Sequence, residues 1–290
     1  MKGMGYTKQF LYLSILSGVV LAACNSGKGN DATDNKGTIL TPTVHVDSVV
    51  NTQKVTMVIC NIPFPSTIFD TLHYAHATYE GSLMNPTENV SLYSQSNSQA
   101  INLGVYGADL SYVISFEQFQ QVGAYMKATK YLTDKAGIPM AFTQEVIERC
   151  QKNSNNKDSL SRIVFQSYTL IDKALKDDQR KAMEILVLAG GWVEGVYINT
   201  QGLSALTSPA DRQGAYNALL AQKHYLDLLL NQMDLVSDSP YCQSISTSLH
   251  EIRGIFNGIS DGTATSNETI ENLTEKVSEL RMRIVKGGNA

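Results

Sequence analysis

The chain has 290 residues, of which 43% are hydrophobic and 17% charged. That balance excludes a disordered tail or a coiled-coil rod and leaves room for one large domain or two small ones. With 23 basic against 27 acidic residues the formal net charge is -4, which argues against nucleic acid or an anionic lipid surface as the main partner.

The first element is a short basic region, Lys2 and Lys8, followed by the apolar run Phe10 to Leu21, broken by Ser14, Ser17 and Gly18. A lasting membrane helix needs about 20 apolar residues, so this run has the size of an export signal rather than a span. It ends in Leu21-Ala22-Ala23-Cys24, which resembles the lipobox of bacterial lipoproteins position for position. The resemblance implies a signal peptide over 1–23, cleavage before Cys24, a diacylglyceryl group on its thiol and an acyl chain such as palmitate on the new amino terminus. Such a cut removes 23 residues and leaves 267, with 21 basic against 27 acidic residues and a net charge of -6. Each buried methylene contributes about 0.8 kcal/mol, and two or more chains make anchoring stable. Cys24 then joins the protein to a membrane and is not a redox or metal residue.

Residues 24–58 read as a flexible tether, polar and glycine-rich to about Thr43. Asn25, rather than aspartate, follows the lipidated position, and by the same resemblance this favours the outer membrane. From Val44 to Ile59 β-branched residues predict short extended pieces. Asp47-Ser48-Val49 resembles the Asp-Ser/Thr-apolar sites of Bacteroidota periplasmic O-glycosylation, which makes Ser48 a candidate modification site.

Residues 59–290 are expected to form a single all-helical domain. Pro63 and Pro65 break regular structure, and a first helix is predicted from Pro65 or Ser66 to Gly81. Asn85-Pro86 should cap and open a short helix. Gln99 to Val113 is apolar nearly all round, which predicts a buried central helix. Phe116 to Ala136 follows with Gly137 as its stop. Further helices are predicted over Thr143 to about Asn153, Asp158 to Lys176, Asp178 to Gly202, Asp211 to Val236 and Tyr241 to Ile259. The last, Ser266 to Val285, has the cleanest stripe: Ile270, Leu273, Val277, Leu280 and Ile284. Serial helices with short connections predict an all-α, antiparallel multi-helix array or bundle, large enough to need no disulfide. The tetratricopeptide register is missing.

Catalytic signatures are sparse. There is no Gly-x-Ser-x-Gly elbow, phosphate loop, dinucleotide fingerprint or EF-hand loop, and no cofactor is implied. His73, His76 and Glu80 have the spacing of one helical stripe and could offer three metal ligands, or form a polar flank of the first helix. Cys60, Cys150 and Cys242 lack Cys-x-x-Cys spacing; one bridge among them is allowed, but buried, inert thiols are preferred. Tyr74, Tyr93 and Tyr241 could line a recognition surface.

Two glycine-bearing segments stand out. In 102–112, Gly104 and Gly107 each cost about 1 kcal/mol in a helix interior, so something should approach closely there. Asn102, Tyr106 and Asp109 form a polar stripe inside that apolar helix. It reads either as a ligand-binding or acid–base site or, preferably, as a buried hydrogen-bond network that specifies packing. In Gly190-Gly191-Trp192-Val193-Glu194-Gly195 the glycines present a smooth face, while Trp192 and Glu194 could line a pocket. If the two glycine faces meet, Asp109 is brought near Glu194, and two carboxyls of one hydrolytic site lie ~5–9.5 Å apart. The segment from Asn61-Ile62-Pro63 to Gly137, about a quarter of the chain, resembles a group of uncharacterised all-helical Bacteroidota lipoproteins, which implies a helical fold and an envelope address. The leading expectation is a non-enzymatic envelope scaffold that binds a protein or small ligand. The alternatives are a hydrolase or sugar-processing enzyme using Asp109 and Glu194, and a glycan-capture lipoprotein.

Overall fold

A computed structural model describes residues 58–59, 62–63, 66–259 and 267–287. Cys24, Ser48, Cys60 and the predicted tether lie outside the described residues. Of the extended segment, two short strands are described, β1 (Val58–Ile59) and β2 (Ile62–Pro63). They pair antiparallel, Val58 with Pro63 and Ile59 with Ile62.

The fold is all-α. Among the described residues nine α-helices pack against one another: α1 (Ser66–Tyr74), α2 (Ser96–Ser115), α3 (Phe119–Lys135), α4 (Gln144–Lys152), α5 (Lys157–Asp177), α6 (Lys181–Ala205), α7 (Pro209–Met233), α8 (Pro240–Asn257) and α9 (Asn267–Val285). Polar caps start several of them. Thr143, Asn156, Ser208 and Ser239 each accept a hydrogen bond from a backbone N–H in the first turn that follows. Short 3₁₀ turns occupy Gly81–Leu83, Thr87–Leu92, Pro139–Phe142 and Asp234–Val236.

α2 and α6 form the most extensive helix pair and the centre of the molecule. Every residue of α2 from Ser98 to Ser115 is buried, as its all-round apolarity requires. α3 and α5 pack on α2, α7 on α6, α1 bridges α2, α6 and α7, and α8 joins α7 to α9. α9 lies against both central helices and buries Ile270, Leu273, Val277, Leu280 and Ile284.

Several helix boundaries differ from the sequence expectation, and three share a cause; one of these is Gln179 (φ 56°), where the N–H of Arg180 reaches the Leu175 carbonyl and α6 starts at Lys181 rather than Asp178. α1 ends at Tyr74, not Gly81, because His76 takes a left-handed conformation (φ 57°) and the N–H of Ala77 closes back on the carbonyl of Leu72. This is a glycine-type helix end made with histidine, so no glycine announced it. Glu117 (φ 56°) does the same after α2: the N–H of Gln118 reaches the Val113 carbonyl, and α3 therefore starts at Phe119 rather than Phe116. A further correction concerns Asn85, which caps no helix. It is fully buried, and the turn after it is 3₁₀, preceded by Pro86.

Candidate functional site

The early end of α1 sends residues 77–95 across the core instead of along a helix, and the centre of the molecule is built where this segment meets α2, α6 and α9. Glycine makes that meeting possible. A Cβ on Gly104 would press on the Val187 carbonyl and lie 2.7 Å from the Gly191 nitrogen, and one on Gly190 would lie 2.8 Å from the Ile101 carbonyl carbon. The two helices therefore touch backbone to backbone. Gly107 belongs to a different contact from the one expected: it makes room for the Tyr168 ring of α5, whose hydroxyl donates to the Leu103 carbonyl at 2.7 Å.

The crossing brings Asp109 of α2 against Glu194 of α6. Both are 0% exposed, and the charge of each carboxyl is felt by the other. Asp109 Oδ2 accepts from the Asn85 N–H at 3.2 Å, while Oδ1 has no N–H or O–H donor among the described residues. Burial, and then the charge of Glu194, push the Asp109 carboxyl well above the usual carboxylate range, against the opposing pull of Arg281.

Glu194 is engaged by Arg281 of α9 through a two-pronged ion pair, Nε to Oε2 at 2.9 Å and Nη2 to Oε1 at 2.8 Å. Nη2 also donates to the Leu83 carbonyl at 2.8 Å, and the guanidinium stacks 4.5 Å from the centre of the Tyr197 ring. With Asp109 neutral, the Glu194–Arg281 pair would leave no net charge at this crossing. Sequence reasoning missed Arg281, but two signals point to it. It sits four residues after Val277 and one after Leu280, on the apolar flank of α9, and two buried carboxyls demand a cation.

The rest of the polar stripe ties the same pieces together. Asn102 Nδ2 donates to the carbonyls of Ser98 (2.9 Å) and Ile284 (3.1 Å), and Tyr106 donates to the Pro86 carbonyl at 2.9 Å. Asn85 Nδ2 donates to the Tyr93 hydroxyl, which donates in turn to the Val285 carbonyl, each at 2.9 Å. Tyr125 of α3 donates to the Asn85 carbonyl at 3.3 Å. Two carbonyls at the end of α9 are thus satisfied by side chains from α2 and from the 77–95 segment, and Asn102, Tyr106 and Asp109 act as parts of one network.

The remaining candidates are placed elsewhere. Trp192 is buried on α6, its ring 6.4 Å from that of Phe256 in α8. His73, His76 and Glu80 do not share a helical stripe, because α1 stops before His76. His73 packs edge-on against Phe116, His76 faces Asp211 at 3.6 Å, and Glu80 accepts from Ser82 at the start of a 3₁₀ turn. Among the described residues no three His, Cys, Asp or Glu side chains are grouped to hold a metal. Tyr74 is 65% exposed beneath Lys157, whereas Tyr93 is buried in the network and Tyr241 is partly buried, so the three do not form one surface. Cys150 and Cys242 are buried free thiols, and burial pushes Cys150 up to about 11.

Chemically, the centre has the inventory of an acid–base pair but encloses it. The cavity between α8 and α9, about 650 Å³, is lined by residues such as Ser248, Glu251, Lys276 and Arg283 and includes neither Asp109 nor Glu194. No helix among the described residues is long and apolar enough to cross a membrane. No protein-family model, curated protein or solved structure matches the chain.

Proposed function

We propose that the chain is a lipid-anchored protein of the bacterial cell envelope, held in the outer membrane through acyl chains on Cys24, whose all-α body is a non-enzymatic scaffold that binds a partner protein or ligand. The observation that carries this reading is the short apolar run closing on Leu21-Ala22-Ala23-Cys24. The body supports the scaffold part of it. The carboxyl pair, its most reactive-looking feature, is fully buried and tied through Asn85 and Arg281 to neighbouring pieces of chain, and a reacting atom would have no access to it.

The test is Cys24→Ser in a diderm host fed labelled palmitate. The wild-type chain takes up label, is shortened and partitions with the outer membrane, while the variant is unlabelled and uncleaved. Equal processing and partitioning of the two refutes the anchor. The scaffold half is tested by cross-linking in native membranes, followed by capture of wild type and of a variant released from the membrane. A partner recovered at stoichiometric yield with the anchored form supports it. Turnover of a glycoside or ester substrate that is abolished by Asp109→Asn, with the fold intact, favours the hydrolase instead.

A further inference from the structure

We propose that Asp109, Glu194 and Arg281 form a proton-dependent latch: a proton on the buried Asp109 keeps α9 and the 77–95 segment closed on the central helix pair, and its loss releases those two elements together. This inference is independent of the anchor.

The geometry carries it. The latch joins four pieces of chain that are distant in sequence: α2 through Asp109, α6 through Glu194, α9 through Arg281, and the 77–95 segment through the Leu83 carbonyl and the Asn85 N–H. α2 and α6 cannot separate slightly to relieve strain, because their backbones are in contact at Gly104, Gly190 and Gly191. The 77–95 segment contains only 3₁₀ turns, and α9 is held at its end by Asn102 and Tyr93, so these are the pieces able to move.

Removal of the proton sets a second carboxylate near the Glu194–Arg281 pair, a net negative charge where neither anion reaches water. Titratable groups face this charge from each element packed around it. α2 contributes Tyr106, α3 Tyr125, α5 Tyr168, α6 Glu194 and Tyr197, α9 Arg281, and the 77–95 segment Tyr79 and Tyr93, with Glu88 near Tyr125. Asp70 of α1 is taken up by Lys157. All six of these tyrosines are pushed above their ordinary value, first by burial, so none of them ionises in the ordinary carboxylate range. The sign follows. Asp109 is raised in the closed state and ordinary in the open state, so closure is fully favoured below the ordinary carboxylate range. It weakens as pH rises from about 3.9 through the raised value.

The test is amide hydrogen exchange on the full-length protein over a pH series from mildly acidic to alkaline, corrected for the intrinsic pH dependence of exchange. In the wild type the opening constant of residues 267–285 and 81–92 rises about tenfold per pH unit over that window, while α3 and α5 hold their protection. In Asp109→Asn, whose amide can donate to Glu194 and accept from Asn85, the rise is absent. A flat wild-type profile, the same slope in the variant, or equal loss over all helices overturns the proposal. Infrared spectroscopy of the wild type needs no variant: a carbonyl band of a protonated buried carboxyl disappears over the same pH range as the protection, and absence of that band also overturns it.

Discussion

Gly104 and Gly190 play the same part from opposite sides: each leaves the space that a backbone carbonyl of the facing helix fills, Val187 for the first and Ile101 for the second. A methyl group at either position meets main chain rather than a movable side chain. Gly104→Ala and Gly190→Ala are each expected to destabilise the fold by about 3 kcal/mol or more, measured by urea unfolding. Gly123→Ala on the exposed face of α3, where a Cβ would meet nothing within 4 Å, should stabilise by about 0.5–1 kcal/mol. Equal effects at Gly104 and Gly123 would remove the argument for backbone contact.

The latch residues should be strongly non-additive. Arg281→Met strands the carboxyl pair and is expected to cost about 3–5 kcal/mol. Arg281→Lys keeps the charge but loses the fork that grips both Glu194 oxygens and the Leu83 carbonyl, and should recover only part of that loss. Glu194→Gln should be milder than Arg281→Met, since Asp109 can then ionise and face the guanidinium in its place. Asp109→Asn with Glu194→Gln leaves no anion, and the double variant should be worse than the sum of the single changes by about 0.5–3 kcal/mol. A double-mutant cycle that closes to zero contradicts a shared charge.

Asp109 should also set a global pH slope. Its folded value is raised and its unfolded value is ordinary, so it favours folding fully at low pH. That contribution is lost at about 1.4 kcal/mol per pH unit as pH rises from about 3.9 toward the raised value. Urea midpoints over a pH series should show this component in the wild type and lack it in Asp109→Asn.

The end of α9 should loosen when its remote partners are removed. Tyr93→Phe deletes the hydroxyl between Asn85 and the Val285 carbonyl and leaves both without that partner, a loss of about 1–3 kcal/mol. Asn102→Ala frees the Ile284 carbonyl in the same way. Proton exchange confined to residues 282–287 would report the fraying, and an unchanged rate there would show that these bonds do not hold the helix.

Much of the fold could be read because its signals are local. All-round apolarity marked α2 as central, Thr143, Ser208 and Ser239 stand where caps should, and the stripe of α9 is buried as spaced. What could not be read depends on partners far away in the chain. His76 and Glu117 adopt left-handed backbone without glycine, so α1 seemed longer than it is, and the His73–His76–Glu80 stripe dissolved with it. The glycine pattern placed Asp109 beside Glu194, yet it assigned Gly107 to α6 when Tyr168 fills that slot. Arg281 stayed hidden among Glu279 and Arg283, which have the look of a solvated face, because its partner lies 87 residues earlier.

The distance in sequence between Arg281 and its partners has one more consequence. A chain lacking the helix from Asn267 to Val285 would hold two carboxyls at its heart with no guanidinium beside them, and Asn102 and Tyr93 would have no helix end to close. The ninth helix is in that sense a keystone, expected to complete the balance of the interior rather than merely to cover it.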